Sequence, residues 1–224
     1  MKKSNIYLLN NYGDIIINED RKRIVRGIES TLEKNRSIVV LNEILYMKKV
    51  DNKLNITIEN IINESFGNSD DYLFHYFYMN HNKEIVIYAI KAGNNVRILS
   101  KDAKKLEVRP IQIIIIDDFS KLVNENRWSL VFFYKNMYYF IKYNEKVIEA
   151  TFVEDNFKTL MLKIYNEDRC EEVYIDSNIE MDFENDLSNI KFVKIDVGEL
   201  LSEKRLFKEG FLTRSLCGRN LTKN

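Results

Sequence analysis

A chain of 224 residues with 45% hydrophobic side chains, 13 Tyr and 13 Phe among them, is long enough to bury one large core or two modest ones and too apolar to be disordered. Thirty-four basic residues balance 34 acidic ones, which demotes a nucleic-acid-gripping role, since that role normally shows as a basic excess. The two cysteines, Cys170 and Cys217, lie far apart and exclude a disulfide framework and a zinc ribbon.

Met1-Lys2-Lys3-Ser4 leads straight into an alternating pattern, so no secretory leader is expected. No apolar run approaches the roughly 18 residues a membrane helix needs, and the chain is expected to be cytoplasmic. Asn5 to Asn10 reads as a strand, Asn10-Asn11-Tyr12-Gly13-Asp14 as a turn, and Ile15 to Ile17 as the returning strand. Asn18-Glu19-Asp20 supplies a helix start, with Ile24, Val25, Ile28 and Leu32 on one face, and Ser37 to Leu41 is a strand. Leu45 to Val50 reads as another strand. Ile58, Ile61, Ile62 and Phe66 then repeat at helical spacing until Gly67. Asp71 to Met79 and Glu84 to Lys91 form a hairpin around Asn80-His81-Asn82-Lys83. Val96, Leu99, Ala103 and Leu106 predict a further helix. Ile111 to Ile116, apolar on nearly every residue, predicts a strand covered on both faces, with a short helix carrying Phe119, Leu122 and Val123 after it.

A second block opens near Arg127. Trp128 to Tyr134, Met137 to Tyr143 and Lys146 to Val153 are three strands joined by tight turns. Glu154-Asp155-Asn156 starts a helix with Phe157, Leu160, Met161 and Ile164 inward. Glu172 to Ile175 and Lys191 to Ile195 are strands, and Val197 to Lys208 has helical character. Glu19-Asp20 and Glu154-Asp155 lie 135 residues apart, as do Ile38-Val39-Val40 and Val173-Tyr174-Ile175, which points to an internal duplication. The expected organisation is a first α/β subdomain over 1–126 with an inserted helix–hairpin unit near 57–92, a second subdomain over 127–200, and a basic tail over 201–224.

Candidate chemistry is sparse. Asp117 or Asp118 after an apolar strand is half of a nucleotide-hydrolase signature, but the other half is a glycine-rich loop, and no two of the seven glycines are closer than eight residues. The two acids read better as a cap for the helix at Phe119. His75 and His81, with Asp70 and Asp71 near in sequence, fall short of the three or four converging ligands a metal needs. No cysteine neighbours a histidine, and adjacent acids such as Glu171-Glu172 point to opposite faces of a strand. The cluster Phe74, Tyr76, Phe77, Tyr78 lacks the interleaved cations of a base-stacking platform. The tail alone is distinctive. Lys204, Arg205, Lys208, Arg214, Arg219 and Lys223 stand against Glu209, with Leu206, Phe207, Phe211 and Leu212 between them. Arg205, Lys208, Phe211, Arg214 and Arg219 are therefore the candidate partner or membrane contacts.

Four features in order carry a resemblance. They are a strand with Met47-Lys48-Lys49-Val50 before the helix Ile58 to Phe66, and Asp70-Asp71-Tyr72 leading into a hairpin with a strand at Glu84 to Ala89. A helix Val96 to Leu106 comes next, followed by Pro110 and an apolar run ending in Asp118. The last is a fresh three-stranded start at Ser129. This order is similar to the actin-like cytoplasmic domains of inner-membrane platform proteins, the L protein of type II secretion and the PilM protein of type IV pili, over roughly residues 1 to 200. The resemblance implies a degenerate actin-like, RNase H-like α/β fold with mixed sheets and flanking helices. It implies a non-catalytic scaffold at the inner face of the cytoplasmic membrane, which recruits the assembly ATPase and binds inner-membrane platform proteins. The resemblance allows a homodimer and leaves membrane association indirect or through the tail, while the missing glycine-rich loop and the balanced charge lead to the expectation of no cofactor and no nucleic acid. Actin-like ATPases carry an acidic residue and glycines on the first hairpin of each half, and Leu130 to Ile141 carries neither Asp nor Gly. That departure favours the secretion-type relative over the nucleotide-binding PilM. The alternatives are an RNase H-like metal-dependent nuclease or other hydrolase, and a nucleic-acid-binding module. The first strands of both blocks lack the acids a two-metal site requires.

Overall fold

The structure, a computed structural model, describes residues 6–17, 20–52, 56–67, 69–81, 83–167, 171–180 and 190–201. The chain divides into two compact units, one built on Met1–Val108 and the other on Arg109–Phe207.

The first unit runs β1 (Ile6–Leu9), β2 (Asp14–Ile17), β3 (Asp20–Arg23), a 3-10 turn (Ile28–Thr31), β4 (Asn35–Val40), β5 (Leu45–Asp51), α1 (Ile58–Phe66), β6 (Tyr72–Met79), β7 (Glu84–Lys91), α2 (Gly93–Ser100) and β8 (Lys105–Pro110). One sheet has the order β3-β2-β1-β4-β8. Leu8 faces Ile16 across the antiparallel β1–β2 pair and Val39 across the parallel β1–β4 pair. Leu8, Leu9, Ile15, Ile38 and Val40 are buried there. A smaller sheet, β5-β7-β6, is covered on one face by α1. The reason is readable in the residues. Thr57 caps the helix by accepting the Asn60 N–H, and Gly67 ends it at a φ of 63°. The Ile61 and Ile62 side chains settle on Ile85 and Ile87, flanked by Phe66, Phe74 and Tyr76. The expected helix–hairpin insert therefore shares its sheet with β5.

Two helices expected in this unit take other forms. Asp20–Arg23 is an edge strand on β2, and only Ile28–Thr31 is helical, as a 3-10 turn. A fully exposed strand of four charged residues has no apolar period by which to be read. Residues 18 and 19 lie outside the described residues. The helix expected at Val96 to Leu106 stops at Ser100, and Lys105–Pro110 leaves as β8.

The second unit runs α3 (Ile111–Val123), β9 (Arg127–Tyr134), β10 (Met137–Asn144), β11 (Val147–Glu154), α4 (Phe157–Tyr165), β12 (Glu172–Asp176) and β13 (Lys191–Ile195), with sheet order β11-β10-β9-β12-β13. Asn156 caps α4 by accepting the Thr159 N–H. Leu160, Met161 and Ile164 then pack on Val131, Phe140, Val173 and Ile175. Phe119 of α3 lies edge-on to Trp128 at 4.8 Å and to Tyr174 at 5.5 Å. These contacts group α3 with the sheet that follows it.

The strand expected at Ile111 to Ile116 is the first half of α3. Ile111, Gln112, Ile114, Ile115, Ile116 and Phe119 are all buried. A helix buried on most sides leaves no polar stripe, so its period is hidden, and the β-branched run mimics a core strand. Pro110 in extended conformation immediately before Ile111 is the start signal that the composition outweighed.

The two five-stranded sheets share one topology. In each, the first three strands are an antiparallel meander and the fourth returns parallel to the first. Ile38-Val39-Val40 and Val173-Tyr174-Ile175 occupy this fourth strand in both units. Glu154 ends the third strand of its sheet, whereas Asp20 begins the third strand of the other, so that second matched pair is coincidental.

Candidate functional site

In sheets of this topology the parallel strands end at the turns after β1 and β9, which is where doubly wound folds place ligands. Asn10, 8% exposed, closes the first turn. Its Oδ1 accepts the N–H groups of Tyr12 at 3.1 Å and Asp14 at 2.9 Å, and its carbonyl accepts that of Gly13 at 3.3 Å. The amides that a phosphate cradle would direct outward are engaged within the loop. Gly13 has a φ of 76°, the left-handed conformation this closure requires. The one carboxylate at the turn, Asp14, is also engaged. It accepts Arg21 Nε–H at 2.6 Å and pairs with Arg23 at 3.3 Å. Burial pushes its pKa up, but the Arg21 hydrogen bond and charge, with Asn10 and Arg23, outweigh burial and hold it below the ordinary value.

The turn after β9 is shorter. Tyr134 and Met137 pair directly, and Lys135 and Asn136, at φ of 47° and 64°, are its whole loop. It holds neither an acid nor a glycine.

Asp117 and Asp118 sit mid-helix in α3, not at a strand end, and neither caps a helix at Phe119. Asp118 pairs with Lys121 at 3.3 Å. Burial raises the Asp117 pKa, with Lys121 and Arg109 opposing. His75 lies in β6 beside Phe77, and His81 in the turn that follows. Asp71 accepts the Asn94 carboxamide. Among the described residues no three His, Cys, Asp or Glu side chains converge as a metal site would need. Cys170, Cys217 and the tail residues Arg205, Lys208, Phe211, Arg214 and Arg219 lie outside the described residues.

Two features were not foreseen. Arg36, 3% exposed, donates to the carbonyls of Glu29 at 2.9 Å and Lys101 at 2.8 Å, and to those of Glu33 and Leu99. It thereby ties β4 to the 3-10 turn and to the C-terminal end of α2, where a cation also offsets the helix dipole. Nothing in the sequence marks it, because its acceptors are backbone groups up to 65 residues away. The second is a cavity of about 230 Å³ lined by Arg127, Trp128, Lys142, Tyr143 and Tyr174. Lys142, 7% exposed, is held there by Glu167 at 3.1 Å. The cavity lies at the start of β9 and β12, the end of the sheet opposite the turn after β9.

No protein-family model and no curated protein sequence matches the chain. Among solved structures, the cytoplasmic domain of EpsL, an inner-membrane component of the type II secretion system of Vibrio cholerae, is similar over 95% of this chain and 98% of its own, at 14% identity and a TM-score of 0.50. A Bacteroides thetaiotaomicron protein with an actin-like ATPase fold is more distant, at 11% identity over 80% of this chain and 84% of its own, with a TM-score of 0.43. The PilM–PilN type IV pilus biogenesis complex is similar at 9% identity over 68% of this chain and 57% of its own, with a TM-score of 0.39. The chain therefore shares the fold of the cytoplasmic domain of EpsL, with mixed sheets and flanking helices as expected.

Proposed function

We propose that this chain is a non-catalytic scaffold of a type II secretion or type IV pilus inner-membrane platform, working on the cytoplasmic side and recruiting the assembly ATPase. The observation that carries the reading is the first turn. Asn10 and the arginine-paired Asp14 occupy the amide and carboxylate groups with which the fold would otherwise hold a nucleotide and its metal. The fold-level likeness to the cytoplasmic domain of EpsL supports the choice of machine. The working part is then the surface, and platform proteins and the ATPase are its partners. Among the described residues no helix is long and apolar enough to cross a membrane, so in this reading the membrane contact comes through partners or through Arg205, Lys208, Phe211, Arg214 and Arg219.

Two experiments test it. Calorimetric titration with magnesium ATP is expected to give no heat of binding, and saturable binding with turnover would replace the scaffold reading with an enzymatic one. Co-purification with the hexameric ATPase and platform proteins of the same organism is expected to retain the chain. Failure with every such partner would sink the assembly role.

A further inference from the structure

Among the described residues every sheet ends in strands that must avoid pairing with a stranger, and all but one do so with charge. β3 is charged at all four positions. β8 carries Lys105, Glu107, Arg109 and Pro110, and β11 carries Glu149 and Glu154. β13 carries Lys191 and Lys194, and β5 carries Lys48, Lys49 and Asp51. Charged or proline-bearing edges are the usual defence against strand addition. β6 is the exception. It is an edge of the β5-β7-β6 sheet, eight residues long, reading Tyr-Leu-Phe-His-Tyr-Phe-Tyr-Met, with no formally charged residue, proline or glycine. Among the described residues it pairs only with β7.

We infer that β6 is a homotypic interface, at which a second copy of this chain adds its own β6 antiparallel and joins two three-stranded sheets into one of six strands. The occupant follows from charge. Any of the other five edges laid against β6 would bury a Lys, Arg, Asp or Glu beside aromatic rings, whereas β6 against β6 buries none. The alternation is self-complementary as well. A two-fold axis at His75 sets Phe74 opposite Tyr76 and Tyr72 opposite Tyr78, on the face where Phe66 already packs against Tyr72 and Phe74. His75, whose buried Nε2 has no hydrogen-bond partner, then faces its own counterpart. A contact confined to one strand pair is small, so the expected affinity is roughly micromolar. This inference stands apart from the platform reading, since it needs only the β6 edge.

The test is sedimentation velocity of the full chain over a concentration series, with backbone amide exchange measured at the same concentrations. A dimer is expected whose Tyr72–Met79 amides gain protection as concentration rises. A chain that stays monomeric to about 1 mM, or a dimer that leaves those amides unprotected, overturns the inference. Tyr78→Lys, at an exposed position of β6, is expected to weaken the dimer about tenfold or more, while Lys48→Glu, at an exposed position of the opposite edge, leaves it unchanged. Equal weakening by both would also overturn it, and the exchange measurement on the unaltered chain decides the matter if a variant fails to fold.

Discussion

Asp14 and Arg21 are bound across the β2–β3 ribbon, the carboxylate Oδ2 accepting the guanidinium Nε–H at 2.6 Å. The pair joins the base of the first turn to the outermost strand of its sheet. Asp14 is 5% exposed, so this carboxylate is paired where an unpaired one would be costly.

Because the folded-state pKa of Asp14 lies below its ordinary 3.8, the unfolded chain binds the proton more readily. The stability this group contributes is present above pH 3.8 and is lost as pH falls through the folded value. Urea unfolding at a series of acidic pH values is expected to show that loss, and Asp14→Asn is expected to flatten it. An unchanged acid dependence in the variant would refute the pairing.

Glu43 works in the opposite sense and in another window. Burial raises its pKa from 4.5 to about 7, with Lys91 only partly offsetting. Between those values the folded protein holds the extra proton, so stability declines as pH rises from 4.5 to 7. Glu43→Gln is expected to remove the slope and to raise the unfolding midpoint at pH 8 relative to the unaltered chain. Carboxyl titration by NMR reads the pKa directly, and an ordinary value there would contradict the burial argument.

Arg36→Met keeps an unbranched apolar stem but removes the guanidinium and with it the donors to four carbonyls of the first unit. The expected cost is about 3 kcal/mol in chemical denaturation, since buried acceptors lose their partner. Arg36→Lys is expected to recover only part of it, because an ammonium cannot span the same fork. A loss under about 0.5 kcal/mol for Arg36→Met would show that the network is incidental.

Gly93→Ala tests a close approach. A Cβ at this position would stand 2.6 Å from the Asp70 carbonyl oxygen and 3.1 Å from the Tyr72 nitrogen. Both obstacles are backbone, so α2 must retreat from the start of β6. The expected cost is roughly 2 kcal/mol, read by thermal unfolding, with faster amide exchange at Tyr72. A variant as stable as the parent would mean that the start of α2 is free to shift.

The parts legible in the sequence were those bounded by clear turn or cap signals. β9, β10 and β11 were readable almost to the residue, because two-residue turns at Lys135-Asn136 and Glu145-Lys146 separate runs rich in aromatic and β-branched residues. α1 was readable from its stripe and the Gly67 that ends it, and α4 from its stripe and the Asn156 at its start. α3 was not, because Ile111 to Ile116 is buried on nearly every side and presents no period. β3 was not, for the converse reason that nothing in it is buried. At the first turn the glycine and the acid were visible in the sequence. Their internal hydrogen bonding was not, since it depends on how Asn10 and Arg21 orient. Arg36 was invisible because backbone carbonyls carry no sequence signal.

Trp128, which donates its indole N–H to Ser120 at 3.2 Å and stacks on Tyr143 at 4.9 Å, is the sole tryptophan of the chain. Intrinsic emission excited at the red edge of the spectrum therefore reports on one half of the molecule and is blind to the other. Far-ultraviolet dichroism sums both halves. Where the two melting curves separate, the halves unfold independently, and no label has to be attached to learn it.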